Sequence, residues 1–255
     1  MPRVSSLEAL HGAVAEFAVA GPGLVIEPPA LAAARRSLDC AGLLLLGEVH
    51  GVRENPLLIR ALLQAFGLTS LALEWSDDLA PAIAAFLAGE PLADHESLWS
   101  GDGRITAGHL AVLAERAAGG PLELILFDGT VDAGSSWSQR DEAMAGRILA
   151  ATSAGTPTLA VAGSYHTATS PIELGVPMGA WLARQRPGIR AIRISYGSGH
   201  FYNAEPRRFH PSNSPQRQVR LHQQRGELIL DLPSAGEAVV PHRPQPWPMP
   251  AHQSP

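Results

Sequence analysis

Apolar residues along this chain alternate between two forms. Short apolar-rich runs occupy residues 43–46, 70–73, 122–127, 158–162 and 191–196, with Glu123, Arg193 and Ser195 as polar interruptions, and each reads as a strand buried on both faces. Between them, apolar residues recur at helical spacing. In 5–19, Leu7, Leu10, Val14, Phe17 and Ala18 form one stripe behind Ser5 or Ser6 as N-cap. Further helices are predicted over 30–38, 56–66, 79–87, 106–118, 138–152 and 177–185; Pro56 sits in the first turn of its helix and Gly67 ends it. Repeated strand–helix alternation predicts an α/β fold over 1–204, a mainly parallel sheet with helices on both faces. Any site should lie at the carboxyl ends of the strands. The polar stretch 89–104, with Trp99, reads as a lid or a long connection, 132–137 as a loop and 197–203 as a glycine-rich exit. Residues 205–225, rich in Pro, Arg, Gln and His, read as an excursion or mobile segment. Residues 227–232 read as one more strand, at an edge; 205–239 then completes the same domain, and 240–255 is an extended Pro-rich tail.

The strands end in chemistry. The run 43–46 stops at Gly47, and Glu48, His50, Arg53 and Glu54 follow; the next strands end at Glu74, Asp128 and His166. Gly47-Glu48-Val49-His50 and Gly163-Ser164-Tyr165-His166 share one design, a glycine three positions before a histidine directly after a buried strand. The glycine lets the backbone turn sharply. On neighbouring strands, His50 and His166 would face one ligand. With Glu48, Glu54 or Glu74 they make a His/His/carboxylate set suited to a divalent metal, His50, His166 and Glu48 being the ligands considered. Without metal, the same groups can run general acid–base hydrolysis. Spacing leaves both open. Arg53 and Arg140 are candidate anchors for these carboxylates or for a substrate, and Tyr165, Tyr196 and His200 are candidate pocket residues. The isolated histidines His11, His95, His109, His222, His242 and His252 read as surface or satisfied core groups.

Composition narrows the partners. A chain of 255 residues, 45% hydrophobic, can bury a substantial core, and a net charge of −5 gives no reason to expect nucleic acid or an anionic membrane as partner. The single cysteine, Cys40, excludes a disulfide framework and a cysteine zinc site, and is expected to be a buried thiol. No apolar run is long enough to span a membrane, and Glu16 interrupts the only stretch resembling a signal core, so a cytoplasmic location is expected. Gly-x-Ser-x-Gly, Walker A and Gly-x-Gly-x-x-Gly motifs do not follow the first strand, which disfavours serine hydrolases and nucleotide-binding enzymes.

Four blocks, Gly47–Glu54, Leu71–Glu74, Arg140–Ala145 and Ala162–His166, resemble in order the signature blocks of the erythromycin esterase family. The paired Gly-x-x-His motifs also resemble the wider TIKI/TraB superfamily, which includes the ChaN-like haem-uptake proteins. The resemblance spans roughly residues 40–204. It implies an α/β fold and hydrolysis of an ester or amide, with Glu48 and His50 around an activated water, Glu74 and His166 completing the site, and Arg53 and Arg140 in support. TIKI-like members are regarded as metal-dependent peptidases, which would make His50, His166 and a glutamate metal ligands; ChaN-like members bind haem, with histidine or tyrosine as axial ligand. The resulting expectation is a hydrolase acting on a small molecule or modified peptide, in secondary-metabolite tailoring. Glu48, His50, Glu74, His166 and Arg140 are its catalytic candidates, and Arg53, Glu54, Asp128, Tyr165 and His200 its substrate-binding candidates. The alternative is a haem- or metal-binding protein without turnover, so the cofactor stays open between none, a divalent ion and haem.

Overall fold

Leu43, Leu44, Leu45 and Leu46 have no solvent exposure at all. A strand sends successive side chains to opposite faces, and here both faces are covered. Leu44 and Leu46 join a core with Leu58, Leu62 and Leu110, while Leu43 and Leu45 join a second with Met144, Ile148 and Leu182. The computed structural model describes residues 3–21, 23–129, 134–153, 155–203, 205–209 and 217–243.

In chain order the elements are β1 (Arg3–Val4), α1 (Leu7–Glu16), β2 (Val25–Ile26), α2 (Pro28–Ala41), β3 (Leu43–Glu48), α3 (Asn55–Phe66) and β4 (Ser70–Ser76). Then come α4 (Ala80–Leu87), α5 (Ala107–Ala118), β5 (Glu123–Asp128), α6 (Trp137–Ala151), β6 (Thr158–Gly163) and α7 (Met178–Gln185). The rest is strand: β7 (Arg190–Tyr196), β8 (Gly199–Asn203), β9 (Glu205–Phe209), β10 (Arg220–Gln224), β11 (Glu227–Leu232) and β12 (Val240–Pro241). The central sheet has eight strands in the order β2-β10-β11-β7-β3-β6-β4-β5. From β11 to β5 all neighbours are parallel; β10 is antiparallel to β11 and carries β2 parallel beside it. The fold is thus the expected α/β architecture, with β3, β6, β4 and β5 ending side by side on one edge.

β6 lies between β3 and β4, although both precede it in the chain, with Gly47 opposite Ala162 and Glu48 opposite Gly163. The two Gly-x-x-His segments therefore leave adjacent strands. Gly47 permits their close approach: a Cβ there would overlap Thr167 Oγ1 and lie 3.1 Å from the backbone at Ser164. Gly47→Ala should destabilise the protein by about 1–3 kcal/mol, as overpacking does. Urea denaturation measures it, and a change under about 0.5 kcal/mol would mean that the 164–167 turn yields freely.

Several expectations are corrected. Within 205–225, described residues form β9, which pairs antiparallel with β8, and β10, which enters the main sheet; residues 210–216 lie outside the described residues. The glycine-rich exit is itself largely β8. β11 is not an edge strand, because β10 flanks it. At the tail, β12 pairs parallel with β1, and 244–255 lies outside the described residues, as do 132 and 133 of the expected loop. The stretch 89–104 is tied down: Trp99 is buried and donates from Nε1 to Asp94, and the Arg104 carbonyl accepts from Trp75 Nε1. Cys40 is exposed, near the carboxyl end of α2. No helix among the described residues is long and apolar enough to cross a membrane.

Candidate active site

Six of the expected residues meet at the carboxyl edge of β3, β6, β4 and β5. Glu48 ends β3 and is buried; its Oε1 lies 3.2 Å from His50 Nδ1. Glu74 is also buried, inside β4 rather than at its end, because the pairing with β5 shifts register between Leu73 and Ser76. Its Oε2 accepts from the Gly163 N–H at 2.8 Å. Its Oε1 accepts from Arg140 Nη2 at 3.2 Å and lies 3.5 Å from Arg104 Nη1. Asp128, at the end of β5, binds the same two guanidiniums, Arg140 at 2.8 Å and Arg104 beside it. Arg104 is further held by Asp102.

The histidines are arranged alike. His166 Nδ1 lies 2.8 and 2.9 Å from the two Asp141 oxygens, and Asp141 Oδ2 also accepts from the Met178 N–H at 2.7 Å. An ionised carboxylate only accepts, so each imidazole carries its proton on Nδ1 and turns Nε2 inward. His50 Nε2 lies 3.9 Å from Glu74 Oε2, and His166 Nε2 lies 3.7 Å from Glu74 Oε1. One carboxylate thus faces two histidines, each oriented from behind by another carboxylate. Trp137 stacks on His166, with centroids 5.2 Å apart and planes at 18°. Gly163 leaves the space between the rings open, since a Cβ there would come within 3.1 Å of His50 Nε2.

The loop after β3 is pinned from several directions. Gly51, at φ +73, donates its N–H to the Gly103 carbonyl, and its own carbonyl accepts from the Tyr202 and Ala238 N–H groups. Any side chain at Gly51 would strike the Tyr202 carbonyl. Tyr196 lies behind this loop rather than in a pocket: its hydroxyl accepts from the Val49 N–H and donates to Asn55. Burial pushes its pKa well above the usual tyrosine value, so it stays neutral.

The other four expected residues lie away from this cluster. Arg53 is exposed over the Phe17 ring, and Glu54 accepts from the Gly236 N–H. Tyr165 is 67% exposed, and His200 is exposed on β8; neither bonds to the cluster. Sequence reasoning missed Arg104, Asp141 and Trp137. For Asp141 a signal was present: with Met144, Ala145 and Ile148 it occupies the apolar stripe of α6 and is fully buried.

The charge balance fixes two titrations. Burial works against charge on His50, but the Glu48 hydrogen bond and the charges of Glu74, Glu48 and Asp102 outweigh it and raise its pKa above 6.5. Burial likewise works against the Glu74 anion, but His50, His166, Arg104 and the Gly163 N–H hold its pKa below 4.5. The stability from protonated His50 is complete below its unfolded value near 6.5 and is lost as pH rises through its higher folded value. That from ionised Glu74 is present above 4.5 and lost as pH falls through its lower folded value. The melting temperature should therefore fall on the alkaline side in native protein, and His50→Gln should flatten that limb. An unchanged limb in the variant would assign it to another group.

The donor set fits a metal ion poorly. Glu48 engages the Nδ1 side of His50, so it cannot join His50 Nε2 on one ion, and the expected His50, His166 and Glu48 set does not assemble. Glu74 faces both Nε2 atoms, but its oxygens already serve Arg140 and Gly163, and two guanidiniums stand where a dication would add like charge. Among the described residues, no three His, Cys, Asp or Glu side chains are arranged to hold a metal ion. An iron placed on either Nε2 would meet the same clasped carboxylate.

No family model and no curated protein matches this chain, so the resemblance to erythromycin esterases gains no match there. Solved structures do match. A crystal structure described as a succinoglycan biosynthesis protein superposes with a TM-score of 0.60 at 10% identity, covering 92% of this chain and 99% of its own. The likeness is one of fold. A crystal structure of a Bacillus cereus protein gives a TM-score of 0.51 at 9% identity, with 94% of each chain covered. Sequence identity this low shows shared architecture and nothing about reaction or substrate.

Proposed function

We propose that this protein is a metal-independent hydrolase of the erythromycin esterase type, cleaving an ester or amide in a small molecule or modified peptide. The observation that carries this reading is the pair of carboxylate–histidine dyads whose Nε2 atoms face the two oxygens of Glu74. His50, whose protonated form Glu48 and Glu74 favour, suits the acid that protonates the leaving oxygen or nitrogen; His166, oriented by Asp141, suits the base that deprotonates water. Glu74 favours the imidazolium form of His50 and lies 3.7 Å from His166 Nε2. Arg140 spends Nε and Nη2 on carboxylates, and its Nη1, which takes no part in those contacts, is the donor for a developing oxyanion. Because Arg104 and Arg140 are both held by carboxylates, a free substrate carboxylate finds little attraction here, so neutral esters or amides fit best.

The test is hydrolysis of a panel of neutral small-molecule esters and amides by purified protein, with and without EDTA, alongside metal analysis by mass spectrometry. Turnover that survives chelation supports the acid–base reading. Turnover lost to EDTA and restored by zinc or manganese would replace it with a metallohydrolase, and a Soret band on haem addition without turnover would replace it with a binder.

A further inference from the structure

We propose that a trapped water joins the free oxygen of Glu48 to His109, making His109 a positioning residue for the Glu48–His50 pair. Glu48 is 4% exposed, and while Oε1 serves His50, Oε2 is buried with no partner among the described residues. A buried carboxylate oxygen without a donor is costly, and ordered water is the usual remedy. The space exists: Glu48, His50, Glu74, Trp75, Arg104 and His109 line a cavity of about 10 Å³, the scale of one water.

The polarity of the partners matches. Thr106 caps α5, its Oγ1 accepting from the His109 N–H, and the same oxygen lies 2.9 Å from His109 Nδ1. Spending the hydroxyl proton on Nδ1 leaves the ring proton on Nε2, as a donor. A water accepting from that N–H can donate to Glu48 Oε2. His109 packs edge-on against Trp75 at 5.9 Å, and burial lowers its pKa, so it remains a neutral donor rather than a competing charge. The groups around His50 are then Glu48 on β3, Glu74 on β4, Asp102 and Arg104 before α5, His109 on α5, and His166 after β6. Of these, His109 is the one whose influence runs through water.

The test needs no turnover, so its failure is separable from failure of the hydrolase reading on which its catalytic meaning rests. A high-resolution crystal structure of the native chain should show a water within hydrogen-bond reach of Glu48 Oε2 and a His109 nitrogen. In ¹⁵N NMR titrations, His109→Phe, which keeps a ring against Trp75, should raise the His50 midpoint by about half a pH unit, roughly a threefold gain in proton affinity. The less solvated Glu48 would then hold the imidazolium more tightly. His109→Gln, which retains a donor, should restore it. An empty cavity, a water that does not reach His109, or an unmoved midpoint in His109→Phe overturns the proposal. Should the Phe variant not fold, density in the native protein decides.

Discussion

Turnover of a cleavable ester should drop by roughly 10²–10⁴-fold in His50→Gln, the share that a positioned acid or base supplies. Stability should change far less. Glutamine is the better probe than alanine because its amide can still donate toward Glu48 Oε1, now 3.2 Å from the imidazole. Alanine would strip from Glu48 the one side chain that bonds it directly among the described residues, and the resulting loss of stability would be mistaken for a loss of catalysis. Initial rates and a urea melt on the same preparation separate the two effects. Activity within threefold of native would remove His50 from the chemistry.

Asp141→Ala should behave in the opposite way, destabilising the fold by about 2–4 kcal/mol. Asp141 is fully buried in α6, and its two oxygens satisfy His166 Nδ1 and the first N–H of α7, at Met178. Its loss strands two donors and leaves a hole between two helices. Asp141→Asn keeps the volume, so most of the stability should return. Activity should not, because an amide no longer dictates which nitrogen of His166 carries the proton. The decisive comparison is urea unfolding against kcat for the two variants. Native-like stability in the alanine variant would mean that water replaces the carboxylate.

The parallel sheet and the edge that carries the candidate site were legible because they follow from local rules. Apolar-rich runs mark strands covered on both sides, and polar groups directly after them mark the edge, which is how Glu48, Asp128 and His166 could be found. What was not legible depends on partners distant in sequence. Arg104 lies in a polar loop that looks like any other until Trp75 and Asp102 fix it beside Glu74 and Asp128. β10 was hidden by its polar sequence, because one face of it pairs Arg220 and His222 with Asp231 instead of burying apolar groups. Arg53 and Glu54 stand only a few residues from His50, yet the chain has already turned into α3, and they serve the 236 loop instead. Proximity in sequence was a poor guide beyond the turn itself.

The clamp on Gly51 has a consequence for synthesis. A ribosome that has made the chain through α7 has already made both histidines and all five carboxylates around them. The His50 loop, however, still lacks its bonds to Tyr202 and Ala238, and Glu54 still lacks Gly236. Until those late-made residues leave the exit tunnel, the loop can be held only by its earlier-made partners, Gly103 and Asn55. The full set of bonds that fixes the His50 loop therefore forms only after translation has passed Ala238.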